Sequence, residues 1–330
     1  MTTLGATLLT LVDWAKRLDP GGTTPDIAEL LNQQNQIVQD ILWVQGNLPT
    51  GHRTTVRTGL PSATWRLLNR GVATSKSRTA QIDEACGLLE TRSQVDKDLA
   101  ELNGNLSAFR LSEAEPFMEA MVQELTSTLF YGNSSTSPEE FTGLAPRFNS
   151  LSAENAQNII VGGGSGSDNS SIWLVGWGKN TCHGVFPKGS KVGLQHEDLG
   201  LQDAFDSDNN RFRAYMDWWQ WKAGIALKDW RYVVRIPNID ISALVAKSSA
   251  ADLIELMIKA IHRIPNLAGC KPVFYVNRTV MEMLDIQRRD DIISGGGLTW
   301  ETVDGKRSAS FRGIPIRLCD QLLQTEAVVS

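Results

Sequence analysis

One stretch, Ser112 to Leu144, restricts the folds open to this chain more than any other. It begins Ser112-Glu113-Ala114-Glu115-Pro116. Ser112 is a good N-cap, Glu115 three residues on completes a capping box, and proline is tolerated in a first helical turn. Phe117, Met121, Val122, Leu125 and Leu129 then recur at helical spacing. The pattern stops at Tyr131-Gly132-Asn133, where glycine can take the left-handed position that ends a helix. A polar loop, Ser134 to Pro138, follows, and order resumes at Phe141-Thr142-Gly143-Leu144. On these residues alone the stretch is an amphipathic helix and a loop of an α+β protein.

The rest of the chain sets outer limits. It has 330 residues, 42% hydrophobic and 21% charged, enough for one large core or two domains. The net charge of -5 argues against a nucleic-acid binder that works through bulk charge. Cys86, Cys182, Cys270 and Cys319 are widely spaced with no CxxC, so neither a zinc site nor a secreted disulfide scaffold is expected. No signal peptide and no apolar run of membrane-spanning length stand out, so no membrane partner is expected. Leu4 to Leu18 reads as a short helix closed by Asp19-Pro20-Gly21-Gly22. A second starts at Thr24-Pro25-Asp26 and carries Ile27, Leu30, Leu31, Ile37, Ile41 and Leu42 on its apolar face.

Gly51 to Ala80 differs in charge. Arg53, Arg57, Arg66, Arg70, Lys76 and Arg78 occur there with no acidic residue among them. Thr54 to Thr58 and Thr64 to Leu68 are strand-like, and acidic residues return from Asp83 onward. The expectation is an extended, two-stranded excursion, basic on its outgoing arm. A charge run often only keeps a face wet. A nucleic-acid role has weak support, because stacking platforms carry several aromatics and this stretch has Trp65 alone.

From Asn158 the chain becomes strand-rich. Gly162 to Asp168 lacks both the GxxxxGK[ST] and the GxGxxG pattern, so a flexible loop is expected over a nucleotide site. Ser171 to Gly178, Arg213 to Leu227 and Trp230 to Ile236 are long aromatic and β-branched runs, read as strands with their tryptophans in the core. Ser249 to Ile264 reads as a helix. Val273 to Val276 reads as a strand, with Asn277-Arg278-Thr279 capping a helix from Val280 to Gln287. Asp304-Gly305 marks a hairpin turn between Trp300–Val303 and Ser308–Phe311. Catalytic signatures are missing. Cys182 and His183 are adjacent and point to opposite faces of a strand. His196-Glu197-Asp198 lacks HExxH spacing, and no GxSxG elbow occurs. Catalytic, cofactor-binding and metal-binding residues are therefore all expected to be absent.

Three patches resemble the major capsid proteins of tailed double-stranded DNA bacteriophages. The helix of Ser112–Leu144 with its "YGN" end resembles their spine helix. Val273-Phe274-Tyr275-Val276-Asn277-Arg278-Thr279 resembles the strand–helix junction of their axial domain, and Phe311-Arg312-Gly313-Ile314-Pro315-Ile316 resembles their "x-G-x-P-[VI]" strand. The resemblance implies an α+β capsid fold divided into an N-terminal helical arm (1–50), an extended loop (51–103), a peripheral domain with spine helix and long strands (104–248) and an axial α/β domain (249–330). The strands that usually follow the "x-G-x-P-[VI]" strand precede it here, which suggests permuted connectivity of the Bordetella podovirus type. The implied function is a non-enzymatic subunit that self-assembles into pentamers and hexamers of an icosahedral head. That head encloses double-stranded DNA with weak, non-specific contact, and scaffold, portal and cement proteins are the implied partners. The subunit would be made in the bacterial cytoplasm and end in the virion. The resemblance also makes Arg53, Arg57, Trp65, Arg66, Arg70, Lys76 and Arg78 intersubunit contacts on the extended loop. The alternative is a soluble α+β enzyme or ligand-binding protein with a Trp-lined pocket, which needs convergent polar groups that the sequence does not display.

Overall fold

The computed structural model describes residues 35–102, 106–206, 208–248, 251–290, 298–303 and 306–330. The strands are β1 (Trp43–Gln45), β2 (Gly51–Gly59), β3 (Arg78–Ala85), β4 (Gly87–Asp96), β5 (Asn169–Trp177), β6 (Cys182–Phe186), β7 (Gln195–Phe205), β8 (Arg211–Leu227), β9 (Val233–Asp240), β10 (Lys271–Val276), β11 (Leu298–Val303), β12 (Lys306–Phe311) and β13 (Ile314–Leu318). The helices are α1 (Ile37–Asp40), α2 (Lys97–Glu101), α3 (Leu106–Tyr131), α4 (Ile241–Ala246), α5 (Leu253–Arg263) and α6 (Arg278–Asp290).

Strand β5 is buried at every position, as expected of a strand covered on both faces. Its side chains alternate between two cores. Trp173, Val175 and Trp177 pack on the side of α3, with Leu125, Leu129 and Phe130. Ile172 and Leu174 pack on the opposite side, with Leu253, Met257 and Ala260 of α5 and with Val280 and Leu284 of α6. Neighbouring β10 splits in the same way, Val273 and Tyr275 to the first core and Phe274 and Val276 to the second. The period-two geometry of a strand thus assembles both cores on one sheet. That sheet runs β11-β12-β13-β10-β5-β6-β8-β4, with β9 also on β5, β7 on β8 and β1 on β6. β13 joins β10 in parallel, whereas β5 joins β10 antiparallel.

The long helix α3 begins at Leu106, earlier than the expected start at Ser112. Pro116 therefore lies about three turns inside the helix rather than in its first turn. Ser112 does not cap; its hydroxyl donates to the carbonyl of Phe109 at 2.9 Å. Tertiary contacts carry the extra turns. Phe109 is buried with Val95 and Ala100, and Arg110 binds Asp217 and Asp198 of the β7–β8 ribbon at 2.9 and 2.7 Å. A lone missing N–H at Pro116 does not outweigh these.

The helix end also differs in its physical cause. Gly132 is not among the positive-φ residues. It is required because a Cβ there would meet the carbonyl oxygens of Phe141 and Thr128 at 2.6 and 2.7 Å. The returning strand of chain runs tightly along the last turn. The N–H of Gly143 donates to Gly132 O at 2.8 Å, and that of Leu144 to Leu129 O at 3.0 Å, so the loop itself satisfies helix carbonyls.

Other expectations held with shifted bounds. Helix α5 begins at Leu253 rather than Ser249, and its cap is Asp252, which accepts from Glu255 N at 2.9 Å. Asn277 accepts from Thr279 N at 3.0 Å, as a cap should, and β11 and β12 pair as the expected hairpin. Of the two N-terminal helices, the first lies outside the described residues; the second is described only from Asn35 and ends at Asp40, because Trp43–Gln45 pair in parallel with β6. The glycine-rich segment is not a free loop. Gly162 and Gly164 donate to the carbonyls of Pro237 and Asn238, so these amides are committed to the chain's own backbone.

Candidate intersubunit surface

Strands β2 and β3 form a two-stranded antiparallel ribbon, joined by no third strand among the described residues. Its base is held closely. A Cβ at Gly51 would meet Glu84 O at 2.0 Å, and one at Gly224 of β8 would meet Ala85 O at 2.7 Å. Only glycine lets these backbones approach so near. Arg147, in the turn after α3, closes on Glu84 of β3 with both guanidinium ends, at 2.6 and 2.7 Å. The same Arg147 donates to the carbonyls of Thr142 and Gly143 at 2.9 and 3.1 Å. The ribbon base is thereby tied to the end of the long helix. His52 of β2 stands edge-on to His183 of β6, ring centres 5.8 Å apart. Burial lowers the pKa of both imidazoles, with Lys228 adding to the effect, and His183 falls to about 4.

Beyond the base the ribbon is open to solvent. Arg53 lies opposite Asp83 and binds it at 2.6 Å, which holds the arginine pKa above and the carboxyl pKa below their ordinary values. The register then slips between Arg57 and Gly59. Arg78 lies against Gly59, its Cβ 3.5 Å from where a glycine Cβ would stand. From Leu60 to Ser77 no strand forms, so the strand expected at Thr64 to Leu68 is absent and the segment is wholly exposed. A strand needs partners for its backbone groups, and none of the described segments reaches this far. The tip closes on itself instead: Arg70 N donates to Leu67 O at 3.2 Å around Asn69, whose φ is 62°. Asparagine tolerates that conformation better than most residues. Ser75 Oγ donates to Ser62 O at 3.0 Å.

The structure therefore separates the expected contact residues. Arg53 is engaged within the ribbon. Trp65, Arg66, Arg70, Lys76 and Arg78, with Arg57 just below, occupy the exposed distal part, and among the described residues no carboxylate pairs with these cations. The sequence reading passed over Leu60, Leu67, Leu68 and Val72. They join Trp65 in the exposed tip, and Trp65 and Leu68 are 105% and 86% exposed. An apolar residue in a short run reads as core by default; Pro61, Asn69 and Gly71 were the available signs of a loop. Of the tryptophans expected in the core, Trp173, Trp177, Trp219 and Trp221 are buried, whereas Trp218 and Trp230 are only partly so. Among the described residues no group of His, Cys, Asp and Glu could hold a metal, and no helix is long and apolar enough to cross a membrane.

A long helix laid against one face of a many-stranded sheet, an α/β layer on the other face and a projecting two-stranded ribbon define the capsid-subunit class of tailed bacteriophages. The chain belongs to the family of major capsid protein GP7, whose model matches residues 19–330. It is 36% identical to the protein in the near-atomic structure of bacteriophage epsilon15, covering 100% of this chain and 99% of that one with a TM-score of 0.78. The bacteriophage JBD30 capsid shares the fold at 9% identity, covering 89% of this chain and 92% of that one with a TM-score of 0.50. No curated protein sequence matches the chain. The chain is a structural, non-enzymatic subunit of a phage head that assembles with copies of itself in the virion. The alternative of an enzyme with a Trp-lined pocket has no support.

Proposed function

We propose that the β2–β3 ribbon and its tip lie over an adjacent copy in an icosahedral shell, with Arg53, Arg57, Trp65, Arg66, Arg70, Lys76 and Arg78 forming the contact. One observation carries this reading: a ribbon that is two-stranded among the described residues ends in a tip that exposes leucines and a tryptophan among cations with no carboxylate partner among those residues. An isolated hairpin is only marginally stable in water, and exposed apolar groups gain by burial. A tip-to-body contact is heterologous, and repetition at a closing angle forms rings; pentamers and hexamers are the rings this reading requires. A net charge of -5 suits a subunit that encloses double-stranded DNA without gripping it. Scaffold, portal and cement partners and synthesis in the bacterial cytoplasm belong to the same reading. So does the division into an arm (1–50), an extended loop (51–103), a peripheral domain (104–248) and an axial domain (249–330). Permuted connectivity is also part of it, supported by the position of β5 to β9 before β13 in the chain.

The test is charge reversal at Arg57→Glu and Arg66→Glu together. The expected result is a folded subunit that no longer forms particles in negative stain. Normal particles from the double variant would remove these two arginines from the contact.

A further inference from the structure

The base of the ribbon rests on the body through two contacts of different kinds. One is the charged pair of Arg147 with Glu84. The other is uncharged: the rings of His52 and His183 meet edge to face, 5.8 Å apart at 78°. The two contacts are neighbours, because His52 stands directly opposite Glu84 in the β2–β3 register. His183 is fully buried, and among the described residues neither of its ring nitrogens completes a hydrogen bond. Nδ1 of His52 and Oγ1 of Thr54, on the same face of β2, are unpartnered as well.

A buried imidazole without a hydrogen-bond partner is tolerated while neutral and strongly disfavoured once charged. The surrounding groups deepen that preference. Lys228, just past β8, acts against a charge on either ring, and Lys179, in the β5–β6 turn, acts against one on His183. A charge on His52 would also repel one on His183. Glu84 favours a charge on His52, but its carboxylate is already engaged by Arg147. The backbone of Gly178 favours one on His183. Cys182, beside His183 in β6, is a thiol that burial pushes up to about 12, so it adds no charge.

We propose that the His52–His183 contact is an acid-released latch on the ribbon. A proton taken from solvent by either imidazole parts the two rings, and the ribbon base turns away from β6 about the Arg147–Glu84 pair. At pH 7 both rings are neutral and the latch is closed; it opens as the pH falls below the ordinary histidine range. The joint lies within one chain, so the latch acts whatever surface the tip meets.

Hydrogen exchange on the full chain tests this, with rates corrected for the intrinsic effect of pH. The reporting amides are those of Gly51 to Arg53 and Glu84 to Cys86; β5, buried throughout, is the reference. From pH 7 to pH 5 the base amides should open about twentyfold more often. That is the factor for a histidine that titrates at about 4 when latched and at 6.5 when released. At pH 5 their opening should barely change with urea, because a local motion exposes little surface, whereas that of β5 should rise steeply. No gain on acidification overturns the proposal. So does a urea dependence at the base equal to that of β5, which would mean that the rings part only on global unfolding. Both measurements use the unmodified chain and stand even where a histidine variant fails to fold. In His183→Asn, which cannot take the proton, the acid gain should shrink severalfold; a gain that stays near twentyfold overturns the assignment to this pair.

Discussion

Arg147 and Glu84, sixty-three residues apart in sequence, meet side by side through two N–H···O bonds of 2.6 and 2.7 Å. Glu84 is 8% exposed. The pair joins the base of a projecting ribbon to the segment that ends the long helix. Removing one partner leaves the other charged and largely out of water. Arg147→Ala should therefore destabilise the subunit by about 3 kcal/mol, read as a lower urea midpoint. A midpoint unchanged from the parent would mean that water replaces the guanidinium at no cost.

Glu326 makes a second lock near the C-terminus. Its carboxylate accepts from Arg235 at 2.9 Å, from Tyr131 at 2.5 Å and from Ser171. Arg235 in turn stacks over Trp173 and donates to Phe148 O at 2.8 Å. Both charged side chains are almost completely buried. Glu326→Ala should cost about 3–5 kcal/mol, whereas Tyr131→Phe should cost about 1 kcal/mol. Equal losses from the two changes would contradict the assignment of the carboxylate as the hub.

Gly143 is constrained by contact, with a φ outside the left-handed region. A Cβ there would stand 2.6 Å from Thr128 O and 2.9 Å from Leu129 O. These are backbone atoms of the long helix, which cannot swing aside as a flexible side chain does. Gly143→Val should lose about 3 kcal/mol or more, and Gly143→Ala should already be clearly destabilised. If alanine were tolerated without change in Tm, the close approach would be wrong.

The His52–His183 pair makes stability depend on pH. The imidazole of His183 titrates near 4 in the folded chain and near 6.5 when unfolded. Between those values the unfolded chain binds the extra proton. Stability from this group is thus full above about pH 6.5, declines as pH falls toward 4 and levels off below, with a slope of at most about 1.4 kcal/mol per pH unit. Subtracting the profile of a His183→Asn variant isolates the term. A difference that is flat between pH 4 and 6.5 would refute it.

Much of this architecture is written in local pattern. Phe117 to Leu129 announce a helix by spacing, Asp304-Gly305 announces a hairpin, and the aromatic runs of β5 and β8 announce strands, because side-chain periodicity depends only on neighbours in the chain. The basic character of Gly51 to Ala80 is equally local, so the ribbon was legible as an exposed excursion. The start of α3 was not legible, because Phe109 and Arg110 find their partners on β4, α2 and the β7–β8 ribbon. The exposure of Leu67 and Leu68 was hidden as well, since no local rule tells an apolar residue bound for a core from one left at the surface.

What sequence alone determined here is therefore the long helix, the helices of the second core, most of the strands and the charge of the ribbon, but neither β7 nor the strandless tip. The tertiary structure decided what joins them: that β5 and β10 share one sheet between two cores, that Arg147 reaches Glu84, and that His52 meets His183 at the ribbon base. The physical reason is one of range. Propensity and periodicity act over a few residues, whereas a buried ion pair or a ring contact exists only when segments far apart in sequence are brought within a few ångströms by burial of the surfaces between them.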